Sequence, residues 1–140
     1  MFIKKLYYSV WSDGIKRLLE RFPKSISFVK FMMMFWMVVS FGGFSMFFYA
    51  FIGNIIHLPW PSLNLQNDFW NNLLSPLVFF MLPWFLLHYY LVFWKNKYQT
   101  FLPEYKYRNG KLFLSFFMCL IFIPIAFFLI SLIIAKVIAT

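Results

Sequence analysis

Acidic residues are scarce in this sequence. Four Asp or Glu stand against 13 Lys or Arg, and only 12% of the 140 residues are charged, while 63% are hydrophobic. A soluble domain carries about 25% charged residues, so there is too little polar surface to coat a water-soluble globule. The four acids, Asp13, Glu20, Asp68 and Glu104, lie outside every long apolar run. That argues against an ion carrier built on intramembrane carboxylates. One cysteine, Cys119, excludes an internal disulfide and a cysteine-based metal cluster. No Gly-rich phosphate loop, paired-carboxylate site or HExxH motif is present. His57, Ser62 and Asp68 have no spacing that would support a hydrolytic triad. No internal repeat marks a transporter of inverted halves. These absences point away from an enzyme and from any cofactor or metal.

What is abundant is long, uncharged and aromatic. Three runs are long enough to cross a bilayer, which takes about 20 helical residues. They cover residues 31–56, 73–94 and 112–135, and they lack the alternation of barrel strands. Backbone groups in lipid must be satisfied within each segment, so each run is expected to be a helix. The expected fold is therefore an all-α integral membrane protein of three transmembrane helices. A basic N-terminal segment, 1–30, precedes a transmembrane domain, 31–140, with loops at 57–72 and 95–111. Pro76 and Pro83 are expected to kink the second span.

The cations give direction. Residues 1–30 hold seven Lys or Arg and residues 95–111 hold five, twelve of the 13, while the 57–72 connection has none. Lys and Arg remain on the cytoplasmic side, so the N terminus and 95–111 are expected inside and the C terminus outside. The single Lys136 at the far end can snorkel. Clusters beside apolar runs indicate anionic lipid at the cytoplasmic face rather than nucleic acid. The composition, rich in Phe and Ile and poor in Ala, suits a bacterial inner membrane or a mitochondrial inner membrane.

The N-terminal segment lacks the short apolar core and small-residue cleavage site of a signal peptide. Ile3, Leu6, Tyr7 and Val10 share one helical face, and Ile15, Leu18, Leu19 and Phe22 repeat it, with cations opposite. This predicts an amphipathic interfacial helix. A break is expected near Gly14, recapped by Ser12 or Asp13, and an end at Pro23. In the loop, "RNGK" predicts a tight turn at Asn109-Gly110. Tyr105, Tyr107 and Arg108 are candidates for docking a partner, if the loop does more than anchor the chain.

Within the membrane, association relies on small residues. Ser40, Gly43, Ala50 and Asn54 form such a stripe on the first span, interrupted by Phe47. Ser115, Cys119 and Ala126 form one on the third. His57 lies at the outer end of the first span beside Pro59 and Trp60. His88 sits about 20 Å deeper along the second, so the two cannot share a metal. An intramembrane ionisable group is a functional candidate by default, which singles out His88. The pattern favours a non-catalytic accessory or structural subunit of a larger inner-membrane complex, with other membrane subunits as partners. The alternative is a homo-oligomeric pore or membrane-active effector, of the holin or bacteriocin-immunity kind.

Overall fold

The computed structural model describes residues 2–138, with side chains described for all of these except 54, 55 and 131–138. All regular elements among the described residues are helices. They are α1 (Phe2–Arg21), α2 (Ile26–Ile56), α3 (Asp68–Pro76), α4 (Leu82–His88), α5 (Tyr98–Phe101) and α6 (Lys111–Ile138). Three stretches are long and apolar enough to cross a membrane: Ile26–Gly53, Asp68–Asn96 and Lys111–Ile130. The first two begin about five residues before the apolar runs that announced them, because helix propagates into flanking polar sequence.

The second span runs through its prolines by widening. Between α3 and α4 lies a π-helical turn, Leu77–Met81, in which the Leu82 N–H donates five residues back to the Leu77 carbonyl. Pro83 has no N–H, and its ring would crowd the carbonyl four residues earlier. An inserted π-turn shifts that carbonyl and removes the conflict. A second π-turn, Tyr89–Phe93, follows α4. The span stops at Lys95 and Asn96, both left-handed at φ 53 and 55. Pro103 lies farther on, beyond α5.

α1 departs most from its sequence pattern. The helix is continuous through Gly14, so the expected break and recapping do not occur. A Cβ on Gly14 would lie 2.5 Å from Met33 Cε and 3.0 Å from Phe113 Cδ2. The glycine is there for close packing against α2 and α6, and helix is retained because tertiary contact outweighs glycine's low propensity. Six consecutive residues, Val10 to Ile15, are buried. An amphipathic helix lying on a surface buries one face, whereas a run of six encloses more than a full turn on all sides. The amphipathic pattern describes the ends of α1 and not its middle.

The core gathers at this end of the bundle. Val10, Trp11 and Ile15 of α1 meet Val29, Met33 and Met37 of α2, Val92 of the second span, and Tyr98 and Phe101 of α5. Each fully buried large side chain contributes roughly 1.5–3 kcal/mol. The same end holds the two segments rich in cations, which were predicted to share one side. At the opposite end, the 57–67 connection is held by polar side chains. Ser62 donates to Asn71, the Leu63 N–H donates to Ser75, and Asn67 caps α3 at Phe69 and Trp70. His57 takes a left-handed φ of 55 and caps α2.

Candidate functional site

Two buried polar constellations sit where α1 enters the bundle. The first is centred on Asp13. Its carboxylate is fully buried and accepts four backbone N–H bonds. Oδ1 takes those of Arg108 (2.7 Å) and Gly110 (3.1 Å), and Oδ2 those of Leu112 (2.9 Å) and Phe113 (3.2 Å). The first N–H groups of a helix have no partner within it, and the helix dipole puts partial positive charge there. Asp13 thus caps α6 from another helix, about a hundred residues away in sequence. The Asn109-Gly110 turn makes this possible. Asn109 (φ 56) and Gly110 (φ 75) turn the chain so that its N–H groups converge. A Cβ on Gly110 would also lie 2.8 Å from Arg17 Cγ, so only glycine satisfies both conditions.

The rest of the 95–111 loop closes over α1. Ser12 donates to the Leu102 carbonyl (3.3 Å) and Lys16 Nζ to the Tyr105 carbonyl (2.6 Å). Tyr107 donates its hydroxyl to Glu20, which also pairs with Arg17 at 3.4 Å. Lys30 lies 4.4 Å over the Tyr98 ring. Of the candidate docking residues, Tyr105 and Tyr107 are engaged with α1. Arg108 uses its backbone on Asp13, and its residue is exposed.

The second constellation surrounds His88. It is fully buried, enclosed by Tyr7, Trp11, Phe41 and Trp84 with ring centroids 5.0–5.8 Å from its own. Tyr7 Oη lies 2.7 Å from His88 Nδ1. Burial pushes the Tyr7 phenol well above its ordinary range, so the hydroxyl keeps its proton and can donate it to Nδ1. Nε2 then carries the ring hydrogen. That Nε2, and the indole Nε1 of Trp11, are buried without a hydrogen-bond partner. His88 lines a groove of about 620 Å³ between α1, α2, α4 and α6, together with Leu6, Phe41, Trp84, Leu87 and Phe116. Among the residues whose side chains are described, no group of three or more His, Cys, Asp or Glu is placed to hold a metal.

The small-residue stripes fall differently from their expected role. Ser40 is buried, but its hydroxyl returns to the Trp36 carbonyl of its own helix at 2.6 Å. A Cβ on Gly43 would meet nothing within 4 Å, whereas one on Gly42 would lie 2.9 Å from Met81 Cγ and 3.2 Å from the Phe80 carbonyl. The close approach of the first and second spans is therefore at Gly42, one residue from the expected position. Gly43 lines an open groove of about 310 Å³ between α2 and α6. Ala50 is half-buried, and the Asn54 side chain lies outside the described residues. On α6, Ser115, Cys119 and Ala126 are all exposed. That stripe points away from its own bundle, and Pro124 is the buried residue of the helix among those described. A polar link that spacing did not suggest joins the spans instead: Trp84 Nε1 donates to Ser45 Oγ at 2.8 Å.

No protein-family model, curated protein or solved structure matches this chain.

Proposed function

We propose that the chain is a non-catalytic accessory subunit of a larger inner-membrane complex, with its N terminus and residues 95–111 inside and its C terminus outside. The observation that carries this reading is the outward face of α6. Ser115, Cys119 and Ala126 lie exposed among Leu114, Met118, Phe122 and Phe127, each at least 43% exposed. Small residues allow close helix approach, and among the described residues these are exposed. A second membrane chain would be accommodated on this face, while α1 and the 95–111 loop keep the cationic end fixed. The cation distribution supports the orientation.

Purification in mild detergent followed by mass measurement tests the reading. A distinct co-purifying membrane chain that crosslinks through the native Cys119 supports it. A homo-oligomer crosslinked through Cys119 would overturn it in favour of a pore or effector. Orientation is tested separately with Cys119 replaced by Ser. A cysteine at exposed Gln66 should react with an impermeant thiol reagent from outside, and one at exposed Thr100 should not.

A further inference from the structure

Beside the apolar groove over His88 lies a hollow of different character. It measures about 380 Å³ and is lined by Lys4, Lys5, Tyr8, Lys97, Thr100 and Glu104, among others. Three ammonium groups face one carboxylate there. Among the described residues the only ion pair is Arg17–Glu20, so Lys4 and Lys5 have no carboxylate partner in the fold. Lys97 also lines the hollow; its Nζ donates to the Tyr90 carbonyl at 3.2 Å and lies 4.3 Å over the Tyr90 ring. Glu104 is exposed and is not within ion-pairing distance of any of the three.

The hollow and the groove adjoin along Lys4 and Tyr8, which line both. One end is cationic and the other is walled by aliphatic and aromatic side chains. A positively charged hollow beside an apolar groove is complementary to an anionic amphiphile.

We propose that the hollow and the groove form one site for an anionic glycerophospholipid, with its phosphate on Lys4, Lys5 and Lys97 and an acyl chain along the groove beside Phe41, Trp84 and Leu87. The site rests on the membrane-embedded part of the functional reading above. It goes beyond general attraction of cations to an anionic surface, because it places one lipid at one position. α1 supplies Lys4, Lys5 and Tyr8, the second span supplies Trp84, the turn that follows it supplies Lys97, and the bound lipid bridges them.

The test uses the full chain purified in detergent, with phosphatidylglycerol, phosphatidylcholine and inorganic phosphate as probes and native mass spectrometry as readout. The expected result is retention of one phosphatidylglycerol per chain at least tenfold over phosphatidylcholine, with no stable phosphate adduct. Lys4→Gln/Lys5→Gln/Lys97→Gln, all at exposed or half-exposed positions, should abolish the preference. Arg21→Gln/Lys24→Gln/Lys106→Gln removes as much charge elsewhere and should leave it intact. Leu87→Trp, which fills the groove, should reduce retention of phosphatidylglycerol with the three lysines in place. Equal loss in both triple variants would overturn the site in favour of diffuse electrostatics. Phosphate retained as firmly as the lipid, or no effect of Leu87→Trp, would overturn the acyl-chain half. A chain that stays in solution without detergent would instead contradict the membrane reading itself.

Discussion

Asp13 and His88 are both ionisable, both fully buried and both reached by α1, yet their surroundings are opposite in kind. Asp13 has its two oxygens filled by four N–H groups. His88 has one nitrogen matched by Tyr7 and the other unmatched, with an unmatched indole N–H nearby. A buried charge without compensation costs several kcal/mol, so the complete set around Asp13 marks a structural clasp. An unmatched buried donor also carries a cost. Here it lies among fully buried side chains, so nothing in its surroundings offsets that cost. The clasp fixes α1 to the start of α6, and the imidazole pocket uses the wall that α1 then provides.

The contrast predicts a ranking of effects. Asp13→Ala should cause the largest loss, about 3–5 kcal/mol, because it leaves four N–H groups, one buried and three part-buried, without their acceptor. Asp13→Asn should restore only part, since its amide nitrogen would face two donors. Thermal unfolding in detergent measures both. If Asp13→Ala unfolds within a degree or two of the wild type, the clasp is not structural. An apolar contact gives the scale between the two sites. Gly42→Ala should lose about 1–3 kcal/mol by overpacking against Met81, while Gly43→Ala should be neutral within about 0.5 kcal/mol. Equal losses at the two glycines would show that the spans approach elsewhere. Tyr7→Phe should lose about 1–2 kcal/mol by leaving His88 Nδ1 unmatched. Tyr7→Phe stability equal to the wild type would remove the distinction between the matched and unmatched ring nitrogens.

The sequence announced the three spans, the end that collects the cations and the Asn109-Gly110 turn, because each depends on local composition. It was mute where geometry depends on distant partners. Asp13 was read as a local cap because capping residues announce themselves beside the helix they cap. A clue was available in its position: Leu6, Val10 and Asp13 share one face of α1, so an acid sits on the apolar stripe. Only the partners' location, in the loop before α6, lay beyond reach. His88 could be singled out as an ionisable residue inside an apolar run, but its pairing with Tyr7 crosses 81 positions. The shift from Gly43 to Gly42 has a different cause. α2 is apolar on every side, so its pattern fixes no rotation toward a neighbour, and adjacent glycines cannot be told apart by spacing. The spacing of Ser115, Cys119 and Ala126 puts them on one face of α6, but it does not say whether that face meets its own bundle or a neighbour.

The central claim is that the middle of α1 is enclosed by the bundle and held there by Asp13. Ser12 is fully buried and close in size to cysteine, and Arg21 is exposed on the same helix. With Cys119 replaced by Ser, Ser12→Cys and Arg21→Cys should be exposed to a membrane-permeant thiol reagent under native conditions. The account predicts that the cysteine at 21 reacts promptly, and that the one at 12 reacts only after denaturation or when Asp13→Ala is added. Equal rates at the two positions in the otherwise intact chain would place α1 on the surface and contradict the account.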